Sequence, residues 1–217
     1  MKFCSISSGS SGNCIFAGTS GTSVLIDVGI SGIRVERGLN EIDMTTRDVD
    51  AILVTHEHAD HYDAAALKIL SGDKTHLVMN KRCVDMYGSG KVMANGDKLQ
   101  LADVSVEAVP AYNSTAGREQ FHPKGRDNGY ILTIDGLRIY IAGDTEDIPE
   151  MAQIKAIDIA FLPCNQPYTM TPDQLVRAAK VIKPKVLFPY HYGQTDLSSI
   201  PAQLEGTGID VRIRHYE

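Results

Sequence analysis

No stretch of this chain stays apolar for the roughly 20 residues a helix needs to cross a bilayer, and residues 1–5 lack the long apolar core of a secretory signal. A soluble cytoplasmic protein without membrane association is the expectation. No C-x-x-C pair occurs among Cys4, Cys14, Cys83 and Cys164, which argues against a thiolate zinc knuckle and against a dense disulfide framework. Most of these cysteines, Cys164 included, read as small, inert, buried hydrophobes. A basic excess is missing too: 21 Lys and Arg stand against 27 Asp and Glu, a formal charge of -6. A surface that grips nucleic acid over its whole extent is therefore disfavoured, while a local basic channel beside an acidic centre stays compatible with that balance. Repeats, linkers and low-complexity tracts are absent. With 217 residues, 43% of them hydrophobic, the chain can bury a substantial core, and one domain over 1–217 is expected.

What is present is a mixed α and β pattern. Short strands are predicted at Lys2–Ser7, Cys14–Ala17 and Ser23–Asp27, separated by Gly/Ser-rich turns. Ser7–Asn13 resembles a phosphate loop only loosely, lacking the lysine and following Ser/Thr, and reads as a turn. A helix capped by Ser31 is predicted from Ile33 to Asn40, then a strand from Ala51 to Thr55 that ends directly on His56. Beyond it come a helix over Ala64–Leu70 and strands over His76–Met79, Lys98–Leu101 and Val104–Val109, with Asn95-Gly96 marking a turn. Tyr130–Ile134 and Leu137–Ala142 flank Asp135-Gly136, a two-residue hairpin signal, and the second runs into Gly143-Asp144-Thr145. Ile157–Leu162 is a buried strand, Thr171-Pro172 opens a helix to Ile182, and Val186–Pro189 is a strand ending on His191.

Chemistry concentrates in His56-Glu57-His58-Ala59-Asp60-His61. Such a density of imidazoles and carboxylates is unfavourable by crowding and desolvation unless a cation binds. Alternation in an extended segment turns His56 and His58 to one side, able to meet one metal, and the following turn can aim Asp60 and His61 at a second position. Glu57 points the other way and reads as a solvated or helix-capping carboxylate. Nitrogen and oxygen donors of this kind suit zinc first, with manganese or iron as alternatives. Asp144 and His191 each follow an apolar strand, so a sheet edge can bring both to the histidine cluster. Asp144 reads either as an Asx-type turn residue or as a bridging ligand. His76 and His215 have no partner cluster and read as ordinary histidines.

The His56-x-His58-x-Asp60-His61 signature after a Thr-ended strand, with Gly143-Asp144-Thr145 and Pro189-Tyr190-His191-Tyr192-Gly193, resembles the metallo-β-lactamase superfamily over nearly the whole chain. Val109-Pro110-Ala111-Tyr112-Asn113 and His122-Pro123-Lys124-Gly125 most resemble bacterial and archaeal hydrolases of unassigned substrate, related to the ascorbate-6-phosphate lactonase group. The resemblance implies an α/β (α+β) fold, a four-layer αββα sandwich with a binuclear site at one sheet edge. It implies two divalent metal ions: His56 and His58 on the first, Asp60, His61 and His191 on the second, Asp144 shared, and Asp27 supporting the metal loop from behind. Many members add a third histidine to the first metal where this chain has Asn113. His122 is the first candidate to replace it, because imidazole is the better ligand, and Asn113 through its amide oxygen is the other.

The implied activity is metal-dependent hydrolysis, by metal-activated water, of an ester-type bond (phosphodiester or lactone) in a small anionic substrate. Asp60 and His122 are the candidate catalytic residues, with Asp60 orienting the water or taking its proton. Lys124, Arg126 and Tyr112 are candidates for substrate binding; the two cations read equally as solvated loop charges, and Tyr112 and Tyr168 equally as packing residues. The signature also resembles exonuclease-like members, so nucleic acid is the alternative partner, less favoured than a small molecule. A non-hydrolytic metal or redox protein on the same fold ranks last, because the di-iron redox members commonly carry a carboxylate where this chain has His58. Neither the individual substrate nor an oligomeric state follows from the residues.

Overall fold

The central strands, among them Ser23–Ile26, Ala51–Val54 and Ile159–Pro163, are apolar at nearly every position because they are covered on both faces. A computed structural model describes residues 1–216. In chain order it contains β1 (Lys2–Ser7), β2 (Cys14–Gly18), β3 (Ser23–Ile26), α1 (Gly32–Asn40), β4 (Ala51–Val54), α2 (Ala64–Leu70), β5 (His76–Met79), α3 (Lys81–Tyr87) and β6 (Lys91–Val92). There follow β7 (Lys98–Leu101), β8 (Val104–Ala111), β9 (Asp127–Ile134), β10 (Leu137–Ile141), β11 (Ile159–Pro163), α4 (Pro172–Ile182), β12 (Val186–Tyr190), α5 (Ile200–Gln203) and β13 (Asp210–Val211). Among the described residues β1 to β6 form one sheet in sequential order, and β13-β12-β11-β10-β9-β8-β7 form the other. Each is mixed: β3, β4, β5 and β6 run parallel, as do β10, β11, β12 and β13, and the remaining neighbours pair antiparallel.

The period of two sorts the side chains into three buried layers. Val24, Ile26, Ala51 and Leu53 of the first sheet meet Val106, Leu132, Ile139 and Phe161 of the second. The alternate residues Leu25, Ile52 and Val54 pack outward with Val35 and Leu39 of α1 and Leu67 and Leu70 of α2. On the far side Tyr140, Ala160 and Leu162 pack with Leu175, Val176, Ala179 and Ile182 of α4. Three cores between four layers is the αββα sandwich.

Most predicted elements lie within a residue or two of their expected bounds. Thr171 caps α4 in a reciprocal box with Gln174. Ser31 stands at the start of α1 without a capping side-chain bond; its carbonyl accepts from Arg34 and Val35 instead. Strand β9 begins at Asp127, three residues before the apolar run, because Asp127, Asn128 and Gly129 pair with Ala111, Pro110 and Val109 of β8. The elements without a periodic apolar signature, α3, β6, α5 and β13, were not expected. The cysteines are all free, and Cys14, Cys83 and Cys164 are buried.

Candidate metal centre

Four strand ends deliver the site. Strands β3, β4, β10 and β12 finish at Asp27, Thr55-His56, Gly143-Asp144 and His191, all on one edge of the sandwich. The loop from Tyr112 to Arg126, between β8 and β9, adds His122. After His56 the chain turns on itself, with His61 and Tyr62 both donating backbone N–H to the carbonyl of His58. Glycine makes the turn's docking feasible: a Cβ on Gly29 would lie 1.8 Å from the carbonyl oxygen of Asp60. Gly143, at φ +65, brings Asp144 round in a conformation costly to other residues, and a Cβ there would sit 2.8 Å from Asn128 O.

Asp144 is the centre of the constellation. Its Oδ1 lies 3.3 Å from His61 Nε2, and its Oδ2 lies 3.4 Å from His191 Nε2, 3.5 Å from His122 Nε2 and 3.9 Å from His56 Nε2. On one side His56, His58 and His122 converge, with His56 Nε2 and His58 Nδ1 3.1 Å apart. On the other, Asp60 Oδ2 lies 2.9 Å from His191 Nε2 and 3.8 Å from His61 Nε2. Two donor groups thus flank one carboxylate. Asp144 Oδ1 and His191 Nε2 are buried yet form no hydrogen bond of acceptable geometry; these atoms aim at common points rather than at each other. Nitrogen and oxygen donors converging in this way fit divalent cations.

The polar atoms that face away from those points are held. Asp27 adopts φ +59 at the end of β3, its Oδ1 accepting from Thr55 N (2.8 Å) and its Oδ2 lying 2.8 Å from His61 Nδ1. Thr55 Oγ1 lies 3.0 Å from His56 Nδ1. Asp127 Oδ2 lies 3.3 Å from His122 Nδ1, and Asn165 Nδ2 lies 3.4 Å from His191 Nδ1. His191 is itself left-handed at φ +49, and Ser8 Oγ accepts its backbone N–H at 2.9 Å. Such partners fix imidazole orientation and tautomer.

Charge is divided unevenly over the cluster. Burial opposes protonation of His61, but Asp144 and Asp27 outweigh it and hold the imidazole well above its ordinary value. Burial likewise opposes charge on His191, and Asp144 and Asp60 outweigh it, holding the group up to about 9. Burial, followed by the repulsion of His61, pushes His56 well below its usual range. Burial would raise Asp144, yet His191 and His61 keep its carboxyl well below the carboxylate range. A centre that concentrates such opposed shifts is a candidate functional site on physical grounds.

The β-lactamase superfamily domain matches residues 10–191, a span that contains every residue of the constellation. The chain belongs to this family. A metal-dependent hydrolase of Enterococcus faecalis, of the group designated UPF0173, is 33% identical over 182 residues, 79% of this chain and 79% of the relative. A crystal structure from Parabacteroides distasonis, assigned as a metal-dependent hydrolase, superposes with a TM-score of 0.83 at 45% identity, covering 94% of this chain and 90% of that one. Igni18, a metallo hydrolase of Ignicoccus hospitalis, superposes at 0.73 with 25% identity, over 98% of this chain and 94% of that one. The chain is accordingly a metal-dependent hydrolase of the metallo-β-lactamase superfamily, and divalent metal ions are its cofactors.

In this hydrolase His56, His58, Asp60, His61, Asp144 and His191 come together as the sequence predicts, and His122 joins His56 and His58. The side-chain nitrogen of Asn113 donates to the carbonyls of Tyr168 (2.7 Å) and Arg118 (3.2 Å), its amide oxygen is buried without a hydrogen-bond partner, and its backbone N–H donates to His122 O (2.9 Å) and braces that loop. The three residues expected to touch substrate have their polar groups paired within the protein. Lys124 Nζ pairs with Glu150 at 2.9 Å and donates to Tyr112 Oη. Tyr112 is buried, and its hydroxyl donates to Glu150. Arg126 is bound to Asp127 through two nitrogens. The reading of Glu57 as a solvated carboxylate is corrected: its side chain is buried between Arg82 (2.9 Å) and Arg126 (3.3 Å). Tyr168 is 46% exposed and packs edge-on against Phe121. His76 begins β5, opposite Ala51 and so at the strand end away from His56. Sequence reasoning missed Asp127, Thr55, Asn80 and Asn13, whose Nδ2 donates to Asp60 O (3.2 Å) and lies 3.2 Å from His61 Nε2. No local feature of the sequence marks these supports.

Proposed function

We propose that the enzyme works with two divalent cations, zinc first and manganese or iron as alternatives, on an ester-type bond, phosphodiester or lactone, of a small molecule. The observation that carries this reading is Asp144, one buried carboxylate within 3.3 to 3.9 Å of imidazoles from both donor groups. His56, His58 and His122 would hold one ion, Asp60, His61 and His191 the other, with Asp144 between them. When bound, such ions supply electrophilic activation and a water acidified towards neutral pH. Asp60 is the residue suited to proton transfer, since its side chain is 24% exposed against 4% for Asp144, leaving it free to orient a water and accept its proton.

A small substrate is favoured over nucleic acid by the loop above the site. Arg118, Lys124 and Arg126 are each matched by a carboxylate, of Glu146, Glu150 and Asp127 respectively. The loop therefore offers no uncompensated basic strip to a phosphate backbone, and negative charge on the substrate would be met by the metal ions. Free cysteines suit a reducing cytoplasm, and no helix of the described residues is long and apolar enough to cross a membrane. Elemental analysis, paired with hydrolysis of bis(p-nitrophenyl) phosphate and of a lactone panel, tests the reading. Two ions per chain with turnover on either class is the expected result; one ion or none after metal addition would overturn the binuclear assignment.

A further inference from the structure

The first donor group is built from two pieces of chain that share no secondary structure: His56 and His58 from the signature, and His122 from the loop between β8 and β9. A line of alternating charge connects the two. Glu57 Oε1 lies 2.9 Å from Arg82 Nε of α3 and 3.3 Å from Arg126 Nη1. Arg126 donates from Nε to Asp127 Oδ1 at 2.7 Å and from Nη2 to Asp127 Oδ2 at 3.0 Å. The same Nη2 donates to Phe121 O at 3.0 Å, directly ahead of His122. Asp127 Oδ2 then lies 3.3 Å from His122 Nδ1. The guanidinium thus grips both the carboxylate behind the imidazole and the backbone that carries it.

This line has features that ordinary surface ion pairs lack. The Glu57 side chain is 6% exposed and that of Asp127 1%, and buried charges are unfavourable unless they are paired and hydrogen-bonded. The planar fork of arginine fixes the angle of the carboxylate as well as its distance. An Asp127 carboxylate accepting from His122 Nδ1–H leaves Nε2 without its proton, facing Asp144 Oδ2 at 3.5 Å.

Resting on the reading of two metal positions, we propose that Glu57, Arg126 and Asp127 form a strut that positions His122 against His56 and His58. Glu57, a signature residue outside every donor group, thereby governs the affinity of the first metal position alone. The second position has separate supports: Asp27 behind His61, and Asn165 and Ser8 holding His191. None of these runs through Glu57.

The test is a competition titration of zinc against a chelator for wild type, Glu57→Gln and Arg126→Gln, with melting temperatures of the chelator-stripped proteins alongside. One zinc equivalent is expected to weaken by roughly tenfold or more in both variants while the other keeps its wild-type affinity. Parallel weakening of both equivalents with a lowered melting temperature is the signature of a merely structural ion pair, and would overturn the strut. So would two unchanged affinities. Should either glutamine variant fail to fold, Arg126→Lys keeps the charge and loses the fork, and the same selective weakening is expected of it. Wild-type stoichiometry checks the binuclear reading separately: a single wild-type equivalent sinks that reading, and the strut is then decided by whether Glu57→Gln weakens that ion.

Discussion

Asp27 Oδ2 lies 2.8 Å from His61 Nδ1, and both side chains are almost wholly buried. The aspartate sits in a left-handed turn at the end of β3, while its other oxygen accepts the backbone N–H of Thr55, the residue that ends the strand feeding the signature. One carboxylate therefore orients His61 and anchors the strand that leads into His56 and His58. Asp27→Asn keeps the shape and loses the charge, and zinc affinity at the second position is expected to fall about 10- to 100-fold. Chelator competition checks it; unchanged affinity would mean that the His61 ring is held by its packing alone.

Asp144→Ala removes the carboxylate that both donor groups face. Bound metal and hydrolytic activity are expected to disappear together, read by elemental analysis and turnover on the same preparation. Retention of two ions would refute the shared role. His76→Ala, on the opposite end of β5, should alter neither quantity.

Metal binding should expel protons near neutral pH. His191, ordinarily near 6.5, is held up to about 9 by Asp144 and Asp60 against the effect of burial. A raised pKa means that its contribution to the stability of the stripped protein is full below about 6.5 and is lost as pH climbs towards 9. A ligand nitrogen must be unprotonated, so zinc binding near pH 7 should release protons, and less so above about pH 9. Calorimetry in two buffers of different ionisation enthalpy measures this; equal heats near pH 7 would contradict it.

Glu146 is fully buried and accepts from the backbone of Ser114 (2.8 Å) and Thr115 (2.6 Å), with Arg118 2.9 Å away. Burial alone would raise its carboxyl, but these donors and the guanidinium hold it below the ordinary 4.5. A depressed pKa contributes stability above that ordinary value and loses it as pH falls through the folded one. Glu146→Gln should cost about 1.5–3 kcal/mol at pH 7, with the gap from wild type narrowing in acid. Denaturant unfolding at both pH values checks this, and a gap that does not depend on pH would rule out the charge as its origin.

Gly29→Ala should damage the site from a distance. The added methyl would meet the backbone carbonyl of Asp60 at 1.8 Å, so the hairpin and the metal loop must separate. A loss of about 1–3 kcal/mol or more is expected, together with weaker binding at the position served by Asp60 and His61. A variant with wild-type melting temperature and metal content would show that the two loops are free to move apart.

Most of the ligand chemistry is legible in the sequence. His56, His58, Asp60 and His61 are close along the chain, and Asp144 and His191 each stand at the end of an apolar strand, the position from which parallel strands project residues to a common edge. The supports are illegible there for the opposite reason. Nothing local distinguishes Asp127 from an ordinary loop charge, because its pairing with Ala111 is made across β8 and β9. Helix α3, short and without an apolar period, gives no hint that its capping residue Asn80 reaches Thr55 O, or that Arg82 meets Glu57.

The four-layer order was implied by the family resemblance, whereas the alternation of apolar strands and amphipathic helices was set by the sequence alone. The sequence also determined the clustering of donors at strand ends, because those residues are near neighbours or follow a strand directly. That His122 turns towards Asp144, and which of the loop's charges pair with one another, follows only from contacts across the fold. Those choices depend on distances across loops that share no local periodicity, and burial makes an unpaired charge so costly that the surrounding chain, rather than the residue's own type, selects its partner.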